Sequence, residues 1–212
     1  MAMKKASSFF SEEESKKIEE AVHSVECCSI GEVAVMVVDS SDEYREASVL
    51  GGIFLAVVAS FSIVEIFFGA SLTIFIPLGV LLSFLFRGLF SMLPELKKAF
   101  IGPVRREEAV RDRAVRAFFE QGLYKTKANT GVLFFISLLE RKVWVLADKG
   151  IYDKIDQETL NQFALTVSRG VKDGRACEAL CSAIDAAGKI LAQHFPLEHG
   201  DTNELPNAVI TE

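Results

Sequence analysis

The chain has 212 residues, half of them hydrophobic, with 23 Lys and Arg against 29 Asp and Glu and a formal net charge of −6. That balance, with no dense basic stripe to neutralise phosphates, argues against nucleic acid as a partner. The apolar excess is concentrated in residues 49–68 and 70–90; without them about 170 residues remain, enough for one domain with its own core and too few for two.

In chain order, Ser11 with Glu14 three residues on makes a capping box, and Ile18, Ala21, Val22 and Val25 recur at helical spacing, which predicts an amphipathic helix over 12–25. No apolar run lies between Met1 and Ser15, so no signal peptide is expected. Gly31 opens a valine-rich strand over 32–38, closed by the polar cluster Asp39, Ser40, Ser41, Asp42 and Glu43.

The two apolar segments follow. Each is about twenty residues, which at about 1.5 Å per residue gives roughly the 30 Å of a hydrocarbon core. Glu65 is the lone ionisable residue of the first and Arg87 of the second, each near an end from which its side chain reaches the interface. Only Gly69 and its neighbours join the segments, so they form an antiparallel hairpin whose flanks lie on one side of the membrane. Lysine and arginine decide which side: the turn has none, whereas Arg45, Lys97, Lys98, Arg105 and Arg106 flank the outer ends. The expectation is a two-span anchor in the inner (cytoplasmic) membrane, with both termini and the soluble domain cytoplasmic and the lipid bilayer as partner. Gly52 with Ala56, and Gly79 with Ser83, allow close packing within the hairpin or against other membrane proteins, and Pro77 is expected to kink the second span. A buried helical hairpin in a soluble α-rich protein is the alternative.

After Pro103, residues 107–121 place Val110, Ala114, Ala117 and Phe118 on one helical face that closes near Gly122. The apolar run 131–138 reads as a buried central strand, and a turn at Leu139, Glu140 and Arg141 leads to an antiparallel strand over 142–147. Helices are predicted over 156–170 and from Asp173, as N-cap, to about His194; residues 197–212, with Pro206, read as a polar tail. The division is thus 1–48 and 91–196 for a domain in two parts, 49–90 for the hairpin and 197–212 for the tail.

This order predicts an α/β fold in which the first two strands are parallel and the third antiparallel, a mixed sheet. Asp39, Asp42, Glu43, Glu140 and Arg141 then gather at a bilayer-facing pole, and Asn129, Thr130, Asp148, Lys149, Gly150, Tyr152 and Asp153 at the cytosol-facing one. Asp39 and Asp148 end their strands a full strand length apart, so no site built from both is expected. A cation site must be local, from Asp39, Asp42 and Glu43 or from Asp148, Asp153 and Asp156, and such oxygen-rich loops suit Ca2+ or Mg2+. Solvated acidic loops capping strands and helices are the competing reading.

Four cysteines are present. Cys177 and Cys181 fall on the apolar helix face of Leu180, Ile184, Ala187 and Leu191 and read as packing; Cys27 and Cys28 are adjacent and lack ligands at metal spacing. In a cytoplasmic domain all are expected reduced. No phosphate loop, GxGxxG or HExxH occurs, and His23, His194 and His199 lack neighbours that make a nucleophile and base.

The run TGVLFFISLLERKVWVLADKGI from Thr130 to Ile151, with SIGEVAVMVV from Ser29 to Val38, resembles the TPM domain family. His194-Phe195-Pro196 and Asn203 to Asn207 are similar to a bacterial membrane-protein branch with a two-span hairpin inserted after the first strand. The resemblance implies a small α/β/α sandwich. It further implies Ca2+ binding and acid phosphatase activity, as in some members, or assembly and repair of membrane complexes, as in others. Asn129 and Tyr152 stand where relatives often carry acidic residues, which shifts weight to a non-catalytic role in assembly, quality control or organisation of membrane proteins, with no cofactor. The alternative is a Ca2+- or Mg2+-dependent acid phosphatase, with Asp148, Asp153 and Asp156 around the cation and Lys149 or Lys127 on the phosphate.

Overall fold

The computed structural model describes residues 5–69, 71–93, 97–126, 128–197 and 205–212. In chain order the elements are α1 (Glu12–Glu26), β1 (Glu32–Val38), α2 (Arg45–Phe68), α3 (Leu72–Met92), α4 (Pro103–Glu120), β2 (Gly131–Ser137), β3 (Lys142–Ala147), α5 (Lys149–Tyr152), α6 (Gln157–Lys172), α7 (Ala176–His194) and β4 (Ile210–Thr211). They fall into two compact units, Met1–Ser41 with Glu107–Glu212, and Asp42–Arg106. Lys127, His199, Asn203 and Glu204 lie outside the described residues.

The first unit is built on a four-stranded sheet in the order β3-β2-β1-β4. β1 and β2 run parallel, Glu32 opposite Gly131 and Val38 opposite Ser137, and β3 returns antiparallel with Lys142 opposite Ser137. Strand alternation sends Val33, Val35, Val37, Phe134 and Ile136 to one face, where Ile18 and Val22 of α1, Leu160 and Val167 of α6 and Leu180 and Ile184 of α7 cover them. Ala34, Met36, Leu133 and Phe135 point the other way and are covered by Val110, Ala114, Ala117 and Phe118 of α4. Burial on both faces is why the strands read as continuous apolar runs, and the result is the expected α/β/α sandwich with a mixed sheet.

The α1 capping box forms as predicted: Glu14 N donates to Ser11 Oγ at 3.2 Å and Ser11 N to Glu14 Oε2 at 2.8 Å. Three expectations are corrected. Asp173 does not begin a helix; it closes α6, followed by Gly174 at a φ of +74°. Arg175 N returns to Gly170 O at 2.8 Å and Gly174 N to Val171 O at 3.4 Å, the Schellman pattern, and this terminator postpones α7 to Ala176. The segment 149–152, read as loop, forms α5 with Asp148 as its N-cap. Residues 205–212 are no plain polar tail: Ile210 and Thr211 pair parallel with Met36 and Val37, adding a strand to the sheet.

Candidate functional site

In the second unit, α2 and α3 form the predicted hairpin. A Cβ added to Gly52 would lie 2.9 Å from the Arg87 backbone nitrogen, so only glycine permits this approach of the helices. Ala56, Ser60 and Val64 continue the same stripe of α2 and are buried, and Gly79 meets Ser60, 3.3 Å separating Oγ from the position of an added Cβ. The small residues noted in the sequence therefore serve packing within the hairpin. Ser83 returns its hydroxyl to Val80 O of its own helix at 2.7 Å. Pro77 lies inside α3, where it withholds one ladder N–H. Gly69 turns the chain at a φ of +60°.

Large apolar side chains line the outer surfaces: Leu50, Ile53, Phe61 and Ile66 on α2 and Leu72, Ile76, Leu81 and Phe84 on α3 are 48–73% exposed. Glu65 and Arg87 are both exposed. Arg87 is level with Gly52, so the two charges are separated along the hairpin by the rise from residue 52 to 65, about 20 Å. Outward reach of both side chains extends the apolar band between their charged ends.

At the root of the hairpin Tyr44 caps α2 in the left-handed conformation, φ 49°, with its side chain buried. The Arg105 guanidinium lies 5.6 Å from its ring centroid, pairs with Asp42 and approaches Glu46 at 3.3 Å. Burial is the largest single influence on the Asp42 carboxyl and raises it, but the hydrogen bond from Arg105, the backbone N–H groups of Tyr44 and Glu43 and the Arg105 charge together outweigh it and hold the group below the ordinary range. Lys97 Nζ donates to Glu43 O at 3.1 Å.

In the first unit the two predicted poles exist. Asp39 follows β1 at one end of the sheet and Asp148 follows β3 at the other, about 20 Å apart for strands of this length. Asp39 Oδ1 accepts from Ala6 N at 2.5 Å. Around Asp148, Gly150 N donates to Asn129 O at 3.1 Å, which brings the two loops together. The carboxylates proposed for a cation do not converge. Asp148 Oδ1 accepts from Lys149 N at 2.7 Å and caps α5; Asp156 Oδ1 accepts from Thr159 N at 2.8 Å and caps α6, and the Thr159 side chain first, then that backbone bond, lowers its pKa. Asp153 follows α5 and is exposed, as is Lys149. Asp148 Oδ2 is buried without a hydrogen bond among the described residues, but one such oxygen is not a coordination shell. No group of three His, Cys, Asp or Glu side chains among the described residues is placed to hold a metal ion.

Residues 100–190 match the sequence model of the TPM domain family. Over that stretch the chain is similar to TPM domains. Among solved structures it is similar to the NMR structure of the BA42 protein from the psychrophilic bacterium Bizionia argentinensis, with a TM-score of 0.60, 20% identity and 96% of each chain covered. At that identity the likeness is one of fold. No curated protein matches the sequence significantly.

The Ca2+ seen as an expectation for TPM domains does not fit Asp148, Asp153 and Asp156 here, because two of the three are committed to helix caps. The polar cluster that the first unit does assemble lies at the opposite pole. Glu140, 5% exposed, accepts from Ser41 N at 3.2 and 3.3 Å, from Ser40 Oγ at 3.3 Å and from Ser137 Oγ, while Ser41 Oγ donates to Ser137 Oγ at 2.9 Å. The sequence places Glu140 in the turn and at the same pole as Asp39, but not its bonds to Ser40 and Ser41, which are about a hundred positions away. Within this unit Glu140 ties down the last residues after β1. The cysteines are free thiols: Cys177 is buried in the α7 face as predicted, and burial followed by the neighbouring Cys177 pushes the Cys181 thiol up to about 12.

Proposed function

We propose that the chain is a membrane-tethered TPM domain that acts without catalysis in the assembly, quality control or organisation of other membrane proteins. The observation that carries this reading is the exposure of the hairpin. The apolar window of α3 has 0% of its residues buried and that of α2 39%, whereas the core helix of a soluble protein would be mostly covered. A pair of helices long and apolar enough to cross a bilayer, with outward faces of Leu, Ile, Val and Phe, calls for lipid or for other spans. Since Gly52, Ala56 and Gly79 are used inside the hairpin, partners in the membrane meet its bulky faces. The five flanking cations and the cation-free turn support a cytoplasmic domain on the inner membrane. A phosphatase at the Asp148 pole is supported less, because Asp148 and Asp156 serve as caps.

The test is affinity purification from detergent-solubilised membranes, comparing the full chain with one whose hairpin is replaced by an unrelated two-span hairpin. Specific membrane proteins recovered with the full chain support the reading, and their loss on the swap assigns recognition to the spans. Absence of specific partners, together with phosphatase activity abolished by Asp148→Ala, would overturn it in favour of the enzyme.

A further inference from the structure

The C-terminal end of α1 presents two metal-binding donors to solvent. Cys27 Sγ lies 3.5 Å from His23 Nε2, and both residues are exposed. Cys27 thus has a donor at ligand spacing, contrary to the expectation from the sequence, because its partner is not the adjacent Cys28 but His23, four positions back. Four positions are one helical turn, and the backbone holds that turn closed, Cys27 N donating to His23 O at 3.0 Å. The spacing of the pair is therefore set by the helix rather than by a loop.

The separation is the one a tetrahedral ion requires. Zinc bonds a thiolate at about 2.3 Å and an imidazole nitrogen at about 2.0–2.1 Å, and at the tetrahedral angle these bonds set the two donors about 3.5–3.6 Å apart. In the metal-free chain the same contact is a hydrogen bond between thiol and ring nitrogen, and an ion replaces the shared proton without changing the distance between the donors. The surroundings favour a cation. Cys27 is the C-cap of α1, at the negative end of the helix dipole. Glu19 and Glu20 stand one turn before His23, and no Lys or Arg occurs between Lys17 and Arg45.

We propose that His23 and Cys27 form a two-donor site for Zn2+ or a first-row divalent ion of similar softness, with the remaining coordination positions open to solvent. Thiolate with imidazole selects this class over Ca2+ and Mg2+, which take oxygen donors. Because two side chains hold the ion instead of the four of a structural zinc site, it is exchangeable, and it clips the last turn of α1. Binding sends the Cys27 proton to solvent and uses the neutral His23 ring, whose own proton sits on Nδ1. Burial raises the thiols of Cys177 and Cys181, the latter to about 12, so both stay protonated near neutral pH and do not compete. The site is separate from the acidic loops around Asp148 and does not rest on the tethering role.

Titration of the reduced, tag-free full chain in detergent with Co2+ tests the site, because cobalt bound to a thiolate shows a sulfur-to-metal charge-transfer band that Zn2+ removes by displacement. The expected result is such a band, saturating at a single ion per chain and retained in Cys28→Ser. Cys27→Ser should abolish it, and His23→Ala should weaken Co2+ binding at least about ten-fold while keeping the band at saturation. Both positions are exposed, so the variants keep the fold, which far-ultraviolet circular dichroism verifies. Absence of the band in the wild type, a band that survives Cys27→Ser or is lost in Cys28→Ser, or an affinity unchanged by His23→Ala would overturn the proposal.

Discussion

Glu140→Ala removes the acceptor on which the end of β1 is fastened. The backbone N–H of Ser41 and the hydroxyl of Ser137, 3% and 1% exposed as residues, lose the carboxyl group, although the 2.9 Å bond between the two serine hydroxyls survives. A buried donor left unsatisfied costs about 1–3 kcal/mol, and with one backbone N–H and one partly compensated hydroxyl the sum is about 3 kcal/mol. Glu140→Gln keeps the shape and one carbonyl oxygen and should cost about 1 kcal/mol. The chain provides its own probe, since its 1 Trp is Trp144 of β3, packed against the α4-side cluster just past the turn. Thermal unfolding of the detergent-solubilised full chain, followed by its fluorescence, should show Glu140→Ala lowered by about 6–12 °C, at about 2–4 °C per kcal/mol for a unit of this size. A midpoint within about 2 °C of wild type, on the same scale, would refute the reasoning, and so would a Glu140→Gln drop equal to that of alanine.

Phe134→Ala should be costlier, about 3–5 kcal/mol, because Phe134 is 0% exposed at the centre of the sheet; the same unfolding assay reads it. Gly52→Leu forces a side chain where a Cβ alone would come within 2.9 Å of Arg87 N, so spin labels at Leu50 and Leu89 should move apart, while Val58→Leu on the exposed face leaves their separation unchanged. In native protein near neutral pH, Cys27 and Cys28 should react rapidly with a maleimide, whereas Cys177, buried, and Cys181, raised to about 12, react only on unfolding; counting labelled thiols by mass checks this.

Elements defined by local pattern were legible in the sequence. β1 and β3 begin and end where their apolar runs do, and α1 starts at its capping box. The hairpin was legible because some twenty apolar residues broken only by Glu65 and Arg87 leave few other solutions. What depended on distant partners was not. β4 is two residues long, too short for alternation to register, and its place is set by backbone pairing with β1. Asp173 has the chemistry of an N-cap, but Gly174 behind it makes a helix stop. At the Asp148 pole the sequence shows three acids close together and cannot show that Asp148 and Asp156 each face the first N–H groups of a following helix. Glu140 gains its role from Ser41, far along the chain.

The central claim, that the hairpin holds a TPM domain in a lipid bilayer, is tested most directly by alkaline carbonate extraction of membranes carrying the full chain, followed by flotation. The account predicts that the protein stays with the membranes and rises with the lipid. Recovery in the soluble fraction would contradict it.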